Sequence, residues 1–292
     1  IRTGQPVASP TVQASANPLH AVGTVIPRPD AVAKVNGSAR FTDDLHFEGM
    51  LHARVKRAMV PHAIVTSLDV EKARALPGVA AVLTAAEIPA EHNHGLVHDD
   101  WPVLVGVGER VRYVGDAVAI VAAETREIAS HALELITVGF DLLPVISDPV
   151  QAKRSDVPSL HPKGNLLKHI KVRKGDVEVG FAESDVILEH TFHTPIYEQA
   201  FLEPECSIAR LTEEGRMEVY VGSQIPYQDR EQIARVLGVP QSQVRVLGQM
   251  IGGGFGGKED IAGQIHAALL TQVTGRPVKL LFDRHESLIF HP

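Results

Sequence analysis

Residues 252–257 hold five glycines around a single aromatic residue, Phe255. A strand-like run precedes this segment and a helical pattern follows it. Glycines cluster where the backbone must adopt unusual φ and ψ values or approach a ligand closely, because no Cβ is in the way. A glycine loop that leads into a helix N-terminus also presents free N–H groups to an anion. The segment therefore predicts a ligand cradle between a strand and a helix, although a mobile loop would share this composition.

The same glycines match a dinucleotide-binding pattern. Residues 252–257 fit G-x-G-x-x-G, and Asp283 follows the next strand-like run, in the order that a dinucleotide fold requires. Against this, residues 258–260 place three charges where the helix should pack closely on the strand. A nicotinamide-dependent dehydrogenase that uses 252–257 as a Rossmann turn stays open as an alternative.

Composition restricts the possible partners and the compartment. The 292 residues are 44% hydrophobic and 22% charged, which is typical of a soluble globular protein and allows two domains. The net charge of −7 and the lack of a basic patch argue against nucleic acid and anionic membranes. No apolar run reaches the ~18–20 residues of a membrane span. A single cysteine, Cys206, excludes internal disulfides and a four-cysteine iron–sulfur site within this chain, and it favours a cytoplasmic location.

The pattern along the chain predicts two α+β domains. Residues 1–21 are rich in Pro, Ala, Ser and Gln and are interpreted as a linker, so we expect the polypeptide to be a fragment of a longer protein. The first domain is expected at 22–148 and the second at 175–292. Residues 149–174 are expected to connect them.

Local sequence patterns predict several helices and strands. Alternating or apolar runs predict strands at 112–122 and 186–192. Thr125 is expected to cap a helix that continues through Leu135. Another helix is expected from Pro226 to a stop at Gly238. The helix after the glycine loop is expected to start with the charged residues 258–260.

The glycine loop also resembles a known cofactor loop. Residues 252–260, Gly-Gly-Gly-Phe-Gly-Gly-Lys-Glu-Asp, resemble the molybdenum-cofactor loop of the xanthine dehydrogenase family, the molybdenum hydroxylases. Residues 222–226, Gly-Ser-Gln-Ile-Pro, resemble the family segment whose glutamine faces the oxo group of the metal, and residues 201–205 resemble its Leu-Glu-Pro segment. Further similarity lies at 30–39, 49–52, 61–64, 114–119 and 275–279. The resemblance covers about residues 22–292 in unbroken order and is nearest to bacterial purine and nicotinate hydroxylases.

The resemblance implies an α+β fold, with an N-terminal a/b hammerhead-like domain followed by the first part of a molybdopterin-binding domain. It implies molybdenum held by molybdopterin, with the cytosine dinucleotide as one form. It also implies 2Fe-2S clusters and FAD on other chains or segments. The implied partners are the rest of the molybdenum-binding subunit, iron–sulfur and flavin subunits or domains, and a small N-heterocyclic substrate. In relatives the catalytic glutamate base and an arginine follow later in the subunit, so this chain alone is expected to be inactive.

The resemblance assigns roles to particular residues. Gln224 is expected to be catalytic, to bind the cofactor and to lie near the metal, since a carboxamide can bond a metal-bound oxygen without adding charge. Residues Gly253, Gly254, Phe255 and Gly256 are expected to bind the cofactor, with Phe255 also near the molybdenum. Glu259 is expected to be catalytic and to hold the substrate, with Glu203 as a second substrate contact.

Structural explanations for these residues stay open beside the functional ones. Gln224 could satisfy a turn, and Phe255 could pack in the core. A carboxylate at position 259 gains ~0.3–1 kcal/mol from the dipole of the predicted helix without any function. Glu203 could be a solvated surface carboxylate.

The resemblance thus implies a molybdenum-dependent oxidoreductase of purine metabolism. The chain would be its cofactor-binding part and would insert water-derived oxygen at a ring carbon of a purine or other N-heterocycle, as part of a complex. A non-catalytic assembly fragment of the same family is a further alternative.

Overall fold

The computed structural model describes Val25 and residues 27–290. The predicted linker at 1–21 lies outside the described residues. Contacts divide the chain into two units, with the break between Ala39 and Arg40. In the described part of the first unit, helix α1 spans Ala31–Val35. All other helices and strands of the described residues belong to the second unit.

The second unit mixes helices and strands, as the α+β prediction requires. Its strands are β1 (Leu51–Arg57), β2 (Ala63–Asp69), β3 (Val79–Leu83), β4 (Asn93–His94), β5 (Trp101–Pro102), β6 (Arg110–Val111), β7 (Ala117–Ala123), β8 (Thr137–Leu142), β9 (Cys206–Leu211), β10 (Met217–Val221), β11 (Val244–Gly248) and β12 (Val278–Leu281). Its α-helices are α2 (Glu71–Arg74), α3 (Arg126–Leu135), α4 (Pro149–Ala152), α5 (Val177–Ala182), α6 (Pro226–Leu237), α7 (Gln264–Thr274) and α8 (Arg284–Ile289). Short 3₁₀ turns lie at Thr42–Asp44, Ala85–Glu87 and Gln241–Gln243.

One seven-stranded sheet organises the second unit, in the order β11-β10-β9-β12-β1-β7-β3. Strand β7 is buried along its whole length, as expected for a strand that is covered on both faces. Strand β1 pairs in parallel with β12, and Leu51 lies opposite Val278. The sheet therefore combines strands from both sides of the expected connection at 149–174. The domain limits at 148 and 175 stay a prediction.

The helices that flank the sheet begin and end where their capping residues dictate. The Thr125 hydroxyl accepts a hydrogen bond from the Ile128 N–H at 3.2 Å, which confirms the predicted start of α3. Helix α6 begins at Pro226 and stops at Gly238, whose φ of 67° is left-handed. Helix α7 packs on β9 and β12, and its residues 264–271 are buried.

A second sheet, in the order β6-β2-β8, and the short pair β4-β5 complete the unit. None of the helices in the described part of the chain combines the length and the apolar character that a bilayer crossing requires.

Three predicted elements differ from the structure. The strand predicted at 112–122 begins only at Ala117, because residues 113–115 form a turn. The buried Asp116 carboxylate stabilises this turn by accepting a hydrogen bond from the Arg112 N–H. The strand at 186–192 does not form, because no strand among the described residues pairs with it, and Leu188 and Phe192 are exposed. The helix expected from Lys258 starts instead at Gln264.

Candidate functional site

The glycine loop joins the end of β11 to the start of α7. Three of its residues have left-handed φ values, namely Gly253 (106°), Phe255 (53°) and Gly256 (90°). The Gly257 N–H bonds the Gly254 carbonyl at 2.7 Å, so the loop is a series of tight turns. Phe255 is a non-glycine residue in a region that costs energy, and its side chain is 78% exposed. Core packing therefore does not explain Phe255.

Gln224 interlocks with this loop. Its side-chain Oε1 accepts hydrogen bonds from the backbone N–H groups of Gly256 at 3.2 Å and Lys258 at 3.4 Å. Its backbone N–H donates to the Lys258 carbonyl at 2.9 Å. The structure thus brings Gln224 and the glycine loop together. Since the Gly256 N–H is used for Gln224, the loop offers this group to the glutamine rather than directly to a ligand.

A glycine at position 254 is required for that contact. A Cβ there would stand 2.3 Å from Gln224 Oε1, far inside van der Waals contact. By contrast, a Cβ at Gly256 would meet no heavy atom within 4 Å. The inner face of the loop therefore holds Gln224, and its outer face at Gly256 is open.

Glu203 and Lys258 form an ion pair that holds the glycine loop in place. Glu203 Oε2 accepts from the Gly252 N–H at 2.7 Å and pairs with Lys258 Nζ at 2.8 Å. The Lys258 ammonium also lies over the Phe201 ring at 4.7 Å. Glu203 is therefore not a free surface carboxylate. Its expected role as a substrate contact stays a prediction.

Arg284 fixes the segment that carries these groups. Its guanidinium donates to the carbonyls of Phe201 and Leu202, each at 2.7 Å.

The sequence pattern indicated Lys258 only as a helix charge, so its role as an anchor was missed. The sequence does show a cation directly after the glycines. Its partner, Glu203, lies 55 residues earlier in the chain, so no local pattern links the two.

Glu259 does not occupy the first turn of a helix, so the predicted dipole contact is wrong. Residues 258–263 form a turn, bends and irregular structure, and the first helical residue is Gln264. The Glu259 carboxylate is exposed and accepts a long hydrogen bond of 3.4 Å from Gln224 Nε2. Its place beside the carboxamide is compatible with a ligand contact, and its expected role stays a prediction.

Burial shifts the pKa values of two side chains near the loop. Burial raises the pKa of Asp229, in the first turn of α6, to about 6, and the neighbouring polar side chains of Ser223 and Gln264 offset part of this rise. Burial also raises the pKa of the Cys206 thiol, which suits a small apolar residue and not a nucleophile.

The arrangement leaves a hydrogen-bond donor for a polar ligand at the outer face of the loop. A carboxamide has one acceptor oxygen and two N–H donors. The loop uses the oxygen and Glu259 accepts one donor, so the other N–H of Gln224 can be directed to a ligand oxygen. The exposed ring of Phe255 and the open backbone at Gly256 provide the adjoining surface.

A larger cleft lies elsewhere and contains none of the predicted site residues. It measures about 700 Å³, and its wall includes Asp69, Arg74, Glu87 and His92. Size alone therefore does not mark the candidate site.

The sheet topology does not favour the dinucleotide alternative. The strands on either side of the glycine loop, β11 and β12, are separated in the sheet by β10 and β9, and β9 is antiparallel to both of its neighbours. A dinucleotide fold needs a glycine turn within a βαβ unit that opens directly into a helix. Here residues 258–263 intervene.

Two family models match consecutive parts of the chain. Residues 36–144 match the a/b hammerhead domain of aldehyde oxidase and xanthine dehydrogenase. Residues 160–292 match the molybdopterin cofactor-binding domain. These matches confirm the predicted fold class and place the glycine loop and Gln224 in the second region.

Individual relatives agree with these matches. The chain is 42% identical to a probable xanthine dehydrogenase subunit of Bacillus subtilis, over 89% of this chain and 35% of the relative. It is 40% identical to the nicotinate dehydrogenase large molybdopterin subunit of Eubacterium barkeri, over 88% of this chain and 60% of the relative. The structure superposes on the aldehyde oxidoreductase of Desulfovibrio gigas with a TM-score of 0.80 and 26% identity, over 90% of this chain and 30% of that one.

The chain thus spans between about a third and three fifths of the length of these relatives. Both matched regions follow the order that the sequence resemblance implied, and the loop, the glutamine and the Leu-Glu-Pro segment meet in one place. The chain belongs to the aldehyde oxidase and xanthine dehydrogenase family of molybdenum enzymes, and it carries sequence of that family's hammerhead and molybdopterin-binding domains.

Proposed function

We propose that this chain is the cofactor-binding part of a molybdenum hydroxylase that acts on a purine or another N-heterocycle. The observation that carries the proposal is the interlock of Gln224 with residues 252–258. The interlock fixes the Gln224 carboxamide, which keeps one N–H for a ligand, beside the open face of the loop at Gly256. Such a fixed donor is suited to hold a polar cofactor, because it needs no rearrangement when the cofactor binds.

The residues of this chain would bind and orient. Residues 253–256 would lie against molybdopterin, and Gln224 would donate a hydrogen bond to an oxygen near the metal. The molybdenum cofactor supplies the chemistry by which a ring C–H and water become C–OH, two protons and two electrons. The electrons would pass to 2Fe-2S clusters and FAD on other chains or segments, in a cytoplasmic complex.

Glu259 is the proposed substrate contact. Its carboxylate is exposed and lies 3.4 Å from Gln224 Nε2, so it faces the same side of the loop as the carboxamide. A carboxylate in that place can accept a hydrogen bond from a ring N–H of a purine or nicotinate-like compound. The relatives named for xanthine and nicotinate dehydrogenase support a heterocyclic substrate.

The proposal is tested by a pair of glycine substitutions. Gly254→Ala should displace the Gln224 carboxamide, because the new Cβ would stand 2.3 Å from its flexible end, while the backbone φ needs no change. Gly248→Ala, at the end of β11, is the matched control because no heavy atom lies within 4 Å of its Cβ position.

Each variant would be produced with its partner subunits in a host that makes molybdenum cofactor, and molybdenum and pterin content would be measured per chain. We expect full content in Gly248→Ala and a strong loss in Gly254→Ala at an unchanged melting temperature. Gln224→Asn, whose carboxamide is one methylene shorter, should also lose cofactor. Equal cofactor content in all variants would reject the site. A wild-type complex without molybdenum would favour a non-catalytic assembly role.

A further inference from the structure

Strand β11 forms one outer edge of the seven-stranded sheet, and no further strand of the described residues lies beyond it. It pairs in parallel with β10 over its whole length without a shift in register. Such a regular edge can accept an added strand, so proteins usually protect it with a bulge or a proline. Strand β3, at the opposite edge, has a register shift between Val79 and Ala81. Strand β11 has neither a shift nor a proline.

The backbone of β11 directs hydrogen-bonding groups away from the sheet. Just past the strand, the Gln249 N–H donates to the Val221 carbonyl of β10 at 2.9 Å. Successive N–H groups of a strand point to opposite sides, so those of Val246 and Gly248 point away from β10. Gly248 is exposed and Val246 is half-buried. An added strand can therefore pair with these two residues.

A groove of about 350 Å³ runs along this edge and is called the β11 groove. Its wall is built from β11, the first turn of α6 and the 3₁₀ turn that precedes β11. The five residues of β11 span about 17 Å, which sets the length of an extended segment that can lie beside them.

The β11 groove carries positive charge without a matching carboxylate. Arg216, Arg230 and Arg245 line it, and none of the described residues in its wall is acidic. Among the described residues, Arg216 and Arg230 belong to no ion pair. Arg245 lies 3.6 Å from a carboxylate oxygen of Glu218, which Arg210 already holds at 2.8 Å. The groove is therefore complementary to an acidic ligand.

An exposed aromatic ring adjoins these charges. Tyr227, in the first turn of α6, is 74% exposed, and the Arg230 guanidinium lies 5.7 Å from the centre of its ring. Tyrosine and arginine are enriched where proteins contact each other. Tyr227 does not pack in the core, so its ring is available to a partner.

We propose that the β11 groove is a docking site for an extended acidic segment of a partner protein. The segment adds a strand beside β11 and pairs with the backbone of Val246 and Gly248. Its carboxylates lie against the three groove arginines. The backbone pairing supplies affinity, and the arginines select against neutral and basic strands. The inference does not rest on the proposed function, because none of these contacts involves the cofactor.

The charge requirement is tested with a short fluorescent peptide that alternates glutamate and valine, by polarisation with the full chain. We expect saturable binding that weakens as salt increases. Combining Arg216→Gln, Arg230→Gln and Arg245→Gln should weaken binding about ten-fold, as expected for three exposed ion pairs. Arg154→Gln is the matched control, because Arg154 is an exposed arginine outside the groove. Its affinity and the melting temperatures of both variants should equal those of the wild type.

The backbone pairing is tested at Gly248. Its N–H points outward, so Gly248→Pro removes a donor to the added strand and keeps the bonds to β10. We expect at least about five-fold weaker binding, the effect of one lost hydrogen bond. Gly248→Ala keeps the N–H and is the control, because no heavy atom lies within 4 Å of its Cβ position. In hydrogen exchange, the peptide should protect the amides of Val246 and Gly248.

Three results would overturn the proposal. Equal affinity for the same peptide with every amide N-methylated would show charge attraction without strand pairing. Equal affinity for a peptide that alternates threonine and valine would reject the acidic chemistry. Concentration-dependent dimerisation of the chain that protects the Val246 and Gly248 amides would assign the edge to a second copy and not to a partner protein.

Discussion

Breaking the Lys258–Glu203 ion pair at the glycine loop should destabilise the protein far more than breaking an ordinary surface pair. Lys258 Nζ lies 2.8 Å from Glu203 Oε2, and the two side chains are only 4% and 14% exposed. Removing one member of a buried pair leaves an uncompensated charge, which typically costs ~3–5 kcal/mol. Glu203 retains its bond from the Gly252 N–H. We therefore expect Lys258→Met to lower the free energy of unfolding by about 3 kcal/mol, near the lower end of that range.

Removing the charge of the other member, Glu203, should lower the free energy of unfolding by less. In Glu203→Gln the amide oxygen can still accept from Gly252, and the Lys258 ammonium keeps the Phe201 ring at 4.7 Å. A desolvated cation–π contact contributes up to ~2 kcal/mol, so it partly compensates the remaining charge. The double variant has no unpaired charge and should recover about 2 kcal/mol relative to Lys258→Met.

Urea unfolding of the four proteins in a double-mutant cycle measures these values. Arg154→Met is the control, because the Arg154–Asp156 pair is 63% exposed on both sides and should contribute less than ~1 kcal/mol. In thermal scans, Lys258→Met should melt roughly 6–12 °C lower. The reasoning is refuted if Lys258→Met is as mild as Arg154→Met, or if the double variant is no more stable than Lys258→Met.

Two other predictions concern turnover and pH. In the complete enzyme, Glu259→Gln should reduce kcat/KM for the heterocycle by about 10- to 150-fold, because a charged hydrogen bond to the substrate is lost. Its melting temperature should not change, since Glu259 is exposed and outside any helix; a fall in stability with intact turnover would contradict this. Burial lowers the pKa of His266 from 6.5 to about 3, with a further contribution from Arg57. Below pH 6.5 the unfolded chain then binds a proton that the native chain does not, so stability should fall as pH decreases towards 3. His266→Gln should flatten this acid limb in urea unfolding measured at several pH values, and an identical slope would argue against it. Asp229, whose pKa is raised, acts in the opposite direction between its usual 3.8 and about 6, so only the difference between variant and wild type isolates His266.

Local signals predicted much of the fold. The Thr125 cap and the left-handed Gly238 act within one helical turn, so the limits of α3 and α6 could be found from neighbouring residues. The start of α7 could not, because Lys258, which the pattern assigned to the helix, is instead paired with Glu203, 55 residues earlier in the chain. The strand at 186–192 failed for a related reason, since alternation predicts a strand only when another strand pairs with it.

The candidate site shows the same division. The sequence resemblance identified Gln224 and the glycine loop, and their contact follows from the fold. It did not identify the role of Lys258. This role comes from burial and from a partner, Glu203, that is distant in the chain. Neither property leaves a short pattern in the sequence.

The parallel pairing of β1 with β12 has a kinetic consequence. Leu51 and Val278 lie near opposite ends of the described chain, and they close the centre of the seven-stranded sheet. Strands β1, β7 and β3 can pair during synthesis, but the other edge of β1 stays open until β12 has left the ribosome. Contacts between such distant residues slow folding because a long loop must be closed first. An open apolar edge during that delay invites pairing with other chains. Slow translation between β7 and β12, or a shortage of chaperones, should therefore reduce the yield of folded protein.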